Sequence, residues 1–111
     1  MRTTIIALIL ILSFVGTAFC HPPSKIDMTR LGTEINVTVI HNVLDPKTHF
    51  IKYIGINVND KKTIDQNFTM QTDDNMQQVK YIIPFLTTGD KVKIEAECSQ
   101  VGELKKEFTV E

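Results

Sequence analysis

Residues 91–98 read KVKIEAEC. Val92, Ile94, Ala96 and Cys98 fall on one side of this octet, and Lys91, Lys93, Glu95 and Glu97 fall on the other. Strict alternation of apolar and charged residues has the period of a β-strand, whose successive side chains point to opposite faces. It predicts a strand that packs one face on a core and turns the other to water.

The same period runs outward in both directions. Upstream, residues 33–41, TEINVTVIH, set Ile35, Val37, Val39 and His41 on one face. Residues 49–58, HFIKYIGINV, predict a longer strand that is apolar on both faces in places, and Asn59-Asp60 after it reads as a turn. Residues 62–70, KTIDQNFTM, predict the next strand, and TDDNMQ after it a loop. Residues 78–84, QVKYIIP, alternate Val79, Tyr81 and Ile83, and Thr88-Gly89-Asp90 turns the chain into the octet. Downstream, Gln100-Val101-Gly102 is a turn and residues 104–110, LKKEFTV, the last strand. That makes six strands, or seven if Lys25 to Met28 pairs as well. No amphipathic helix interrupts them. Short strands spaced by turns, rich in Ile, Val, Phe and Tyr, predict an all-β, antiparallel β-sandwich.

The N-terminus differs in kind. Residues 5–19, IIALILILSFVGTAF, form an apolar run behind one arginine and end in small residues, the pattern of an N-terminal signal peptide. The run is short for a membrane span, which needs roughly 20 residues. Cleavage before Phe19 and cleavage before His21 both fit; lipidation of Cys20 fits less well, with bulky Phe19 ahead of it. The expected organisation is a signal peptide over residues 1–20 and a domain over 21–111, exported to a periplasm or secreted. Without Arg2 the rest of the chain has 11 basic and 13 acidic side chains, interspersed. The lack of a basic patch argues against nucleic acid and anionic membrane surfaces as partners, and nothing after the leader supports stable membrane insertion.

Three histidines and Cys98 carry the chemistry of the domain. His41 ends one strand and His49 opens the next, Cys98 ends the octet, and His21 follows the leader. Imidazole with thiolate is a donor set for iron, copper or zinc. Taken singly, a strand-end histidine is an ordinary loop residue and a buried cysteine a small hydrophobe. The set is what points to a metal, although no compact CxxC or HxxxH spacing is present.

The stretches HNVLDPKTHFIKYIGINVN and GDKVKIEAECSQVGELKKEFTV resemble the iron-binding, immunoglobulin-like domain of the superoxide reductase family, found in neelaredoxin and desulfoferrodoxin. In that family a histidine ends a strand, and a short loop leads to a second histidine followed by an aromatic residue, Ile and another aromatic. Here these are His41, His49, Phe50, Ile51 and Tyr53. The family's late Cys-Asn-x-His-Gly turn is Cys98-Ser99-Gln100-Val101-Gly102, and His21-Pro22-Pro23 falls where the family has Glu-Lys-His-x-Pro. The resemblance implies an immunoglobulin-like sandwich of about seven strands. It implies non-haem iron held by His21, His41, His49 and Cys98, redox activity toward superoxide, and an electron-donor protein as partner. The chain departs from the family in three places. Val101 stands at the fifth ligand position, Phe19-Cys20 replaces the Glu-Lys pair whose lysine attracts the anion, and the loop from His41 to His49 is two residues longer. If cleavage precedes His21, its new amine lies beside its imidazole and could supply the missing nitrogen. Lys47 is the nearest replacement for the absent lysine. Two functions remain open: an oxidoreductase like superoxide reductase, or a non-enzymatic binding module on the same fold.

Overall fold

The computed structural model describes residues 21–111. The leader, its cleavage point and Cys20 lie outside the described residues. Seven strands follow one another: β1 (Lys25–Leu31), β2 (Glu34–Ile40), β3 (Ile51–Val58), β4 (Lys61–Asn67), β5 (Met76–Ile82), β6 (Lys91–Cys98) and β7 (Glu103–Thr109). They form two antiparallel sheets, one ordered β1-β2-β5 and the other β4-β3-β6-β7. This is the antiparallel β-sandwich expected from the alternation, with the seventh strand present. Among the described residues no helix is long and apolar enough to cross a membrane.

The octet is β6, and its period is obeyed residue by residue. Val92, Ile94 and Ala96 have no exposed surface, and Cys98 is 3% exposed. The inward residues of β2, Ile35, Val37 and Val39, face them from the other sheet, with Ile26 of β1 and Ile51, Ile54 and Ile56 of β3 completing the interior. Asn59 and Asp60 connect β3 to β4 with φ of 50° and 66°. Two successive positive φ values make the two-residue hairpin turn that matches strand twist, and Asn and Asp adopt them at low cost.

Several boundaries move. β4 ends at Asn67, where a strand through residue 70 was expected, and β5 begins at Met76, two residues early. Phe68 still donates its N–H to the Lys52 carbonyl at 2.8 Å, but by Gln71 the N–H goes to the Pro46 carbonyl at 3.0 Å. The chain has left one sheet edge to cross to the other sheet. β1 is longer than the Lys25–Met28 stretch and pairs with β2 as far as Leu31↔Glu34. As an edge strand it needs few apolar residues; Ile26 alone is fully buried.

Candidate metal centre

Three inward rows of the sandwich end on or beside a residue that can bind metal. On β2 the row Ile35, Val37, Val39 continues to His41. On β6 the row Val92, Ile94, Ala96 continues to Cys98. Two residues before Ile51, the first buried position of β3, stands His49. Ile51 pairs with Cys98, so β3 begins where β6 ends and all three reach the same pole. His41 is fully buried, His49 is 7% exposed, and Cys98 is a free thiol. One donor atom from each lies within 4.8 Å of the other two.

The loop between the histidines is held by its own turn. His49 and Thr48 donate their N–H groups to the Asp45 carbonyl at 3.0 and 3.2 Å. His41 is tied to the crossover by its N–H on the Asn75 carbonyl at 2.9 Å. The turn after β6 is closed by Cys98 N–H donating to the Gly102 carbonyl at 2.9 Å.

His49 Nε2 lies 3.1 Å from Cys98 Sγ, and the Gln100 N–H points at the same sulfur from 3.4 Å. Thiolate is the form of this side chain that binds metal. Burial, and after it the neighbouring His41 and His21 rings, hold His49 below the usual histidine range. It is therefore neutral near pH 7, as a ligand must be. The donor set fits a transition ion. A tetrahedral ion with bonds of about 2.0–2.1 Å to nitrogen and 2.3 Å to sulfur separates those two atoms by about 3.5 Å. Opening the His49–Cys98 contact by a few tenths of an ångström is within side-chain torsion.

His21 stands beside this group. Its ring centroid is 5.0 Å from that of His41 and 5.6 Å from that of His49. Its own nitrogens rest on main-chain carbonyls, Nε2 on Asn42 at 2.9 Å and Nδ1 on Pro22 at 3.1 Å. The compact donor group is thus His41, His49 and Cys98, with the His21 ring packed against it. Val101 is more than half exposed. His21 and His49 also line a surface cleft with Leu44, Asp45 and Thr48. Lys47 is exposed and is not among the lining residues. Apart from the imidazoles, Asp45 is the only ionisable side chain among them.

The segment carrying His21 is positioned by a glycine. Gly102 has φ of +96°, and a Cβ there would lie 2.7 Å from Pro22 Cβ and 2.9 Å from its Cα. The sequence marked Gly102 as a turn residue without showing what approached it. Gly102→Ala is expected to combine a strained φ with that collision and to cost about 1–3 kcal/mol in urea unfolding. The same variant should loosen His21 from Asn42, seen as altered His21 ring signals in NMR. Unchanged stability with unchanged His21 signals would show that the contact holds nothing.

One residue of the site carried no signal in the sequence. Gln71, in the crossover between β4 and β5, is 4% exposed and its Oε1 lies 2.9 Å from His41 Nδ1. In sequence it is one glutamine in a polar stretch.

No protein-family model matches this chain, and no curated protein is significantly similar to it.

Proposed function

We propose that the protein is a metal-binding β-sandwich in which His41, His49 and Cys98 hold one transition-metal ion. The observation that carries this is the compact donor group itself: two imidazoles and a thiol, all buried, within 4.8 Å of one another. Chance burial of polar side chains at the end of three separate apolar rows is costly unless they are paired or bind a cation. The resemblance to the superoxide reductase domain supports non-haem iron as the ion and redox chemistry as its use, and the leader supports export. When bound, iron with a thiolate ligand supplies one-electron chemistry. The residues of this chain hold the thiolate with the Gln100 N–H and leave the His21 side open to the cleft.

A second reading is favoured by one observation. Among the described residues lining the cleft there is no lysine or arginine, and Asp45 supplies a carboxylate. A negative charge at the mouth suits the entry of a metal cation better than that of an anionic substrate. On this reading the domain carries its ion without turning over superoxide.

Elemental analysis of the purified full chain, followed by a superoxide-consumption assay, tests both. About one iron per chain is expected. Saturating metal should also raise thermal stability, by about 2.7 kcal/mol at a hundredfold excess over the dissociation constant. Iron with superoxide consumption supports the oxidoreductase; iron without it supports the module. Absence of any bound metal after reconstitution, with no thermal shift, overturns the metal reading.

A further inference from the structure

The Gln71 amide is oriented by its surroundings. Its Nε2 donates to two carbonyls, His41 O at 2.8 Å and Asp73 O at 2.9 Å. Reversing the amide would set its oxygen against both. Its Oε1 already accepts the Ile51 N–H at 3.2 Å, so the oxygen can meet His41 Nδ1 at 2.9 Å only if that nitrogen carries a proton. In an uncharged His41 ring Nε2 would then be the nitrogen without a proton, and it lies 3.2 Å from the His21 carbonyl oxygen, a part-buried contact beside the cleft that His21 lines. Without Gln71 the one ring proton could sit on Nε2 and be donated to that carbonyl; the Gln71 oxygen holds it on Nδ1.

We propose that Gln71 is a positioning residue that locks the His41 tautomer, keeping Nε2 unprotonated and directed to a metal ion. The inference rests on the metal-binding reading above and deepens it. Ligating histidines generally donate their second N–H to an oxygen acceptor, which fixes the tautomer and ring orientation, and loss of such a partner costs 10–100-fold in affinity. Here the acceptor is an amide held by three other hydrogen bonds, and Ile51, whose N–H shares it, is the residue that pairs with Cys98. The lock therefore joins the strand end that carries one ligand to the ring of another. The His21 carbonyl gives the lock its purpose: it offers the proton a competing place on Nε2.

The test uses the full chain, metal-free and then titrated with Co(II). Long-range proton–nitrogen NMR of the imidazoles should show His41 protonated on Nδ1. In Gln71→Leu the proton should move to Nε2, and Co(II) affinity should fall about 10–100-fold. Gln71→Met, close to glutamine in shape, also removes the acceptor oxygen, so it should lose the Nδ1 tautomer and the affinity in the same way even if Gln71→Leu does not fold. Wild-type His41 found protonated on Nε2 overturns the proposal. So does Gln71→Leu or Gln71→Met binding Co(II) as tightly as wild type. Failure of the wild type to bind Co(II) at all, with the Nδ1 tautomer in place, is a different result: it removes the metal reading on which the proposal stands.

Discussion

Ile94→Ala is expected to destabilise the sandwich by about 2–5 kcal/mol. Ile94 lies mid-strand in β6, which sits between β3 and β7, and none of its surface is exposed. It pairs with Ile56, itself fully buried. Truncation removes three side-chain carbons from between two sheets whose backbones are fixed by ladders, so the space closes poorly and a cavity term adds to the lost transfer energy. A domain of this size is stable by about 5–15 kcal/mol, so the loss is a large share of the whole. Urea unfolding measures it: the midpoint should fall while the slope stays constant. Lys93→Ala, one residue away on the outer face, is the control and should stay within about 0.5 kcal/mol. A cost below about 1 kcal/mol at Ile94, or equal costs at both positions, would mean that the alternation in β6 does not mark the core.

The contrast between Ile94 and Lys93 is also why the fold could be read from the chain. β2 and β6, each between two other strands, alternate inward and outward residue by residue, whereas β3, also between two strands, buries Ile54, Gly55 and Ile56 in succession. Legibility falls toward the edges. β1 and β4 are edge strands, and only Ile26 with the part-buried Met28 on β1 and the part-buried Ile64 on β4 betray an inner face. Alternation in β4 runs on through Phe68 to Met70, yet the strand stops at Asn67 because the chain must reach the other sheet. Nothing local in the sequence encodes that demand.

The site divides in the same way. His41 and Cys98 were legible because each continues an inward apolar row, and His49 because it opens the strand that follows His41. His21 lies on no strand; its membership of a small histidine set and the family resemblance pointed to it, and the structure sets its ring against the group while its nitrogens bond to carbonyls. Gln71 was illegible because its role depends on a crossover bringing a polar loop back to His41, 30 residues earlier. Lys47 shows the converse: close to His49 in sequence, it is not among the residues lining the cleft.

Cys98→Ser is expected to lower affinity for Co(II) by more than about 100-fold, beyond what loss of an outer hydrogen-bond partner costs. The substitution separates two accounts of this residue. A thiol that is 3% exposed could be a small hydrophobe that ends an apolar row. Serine fits the same space, and its hydroxyl can meet both the His49 Nε2 and the Gln100 N–H that now approach sulfur. The fold should therefore survive, and only the soft donor is lost. In the wild type, Co(II) should give a thiolate-to-metal charge-transfer band that the variant lacks. Proton release offers a second readout. At 3.1 Å, His49 Nε2 and Cys98 Sγ are close enough to share a proton in the metal-free protein, and an ion bound to both atoms must expel it. About one proton should be released per ion in the wild type. The hydroxyl of the variant stays protonated, so with serine the release should fall toward zero. Equal affinity and equal proton release in the two proteins would make Cys98 a packing residue, and the donor group would shrink to two imidazoles, too few to hold an ion by themselves.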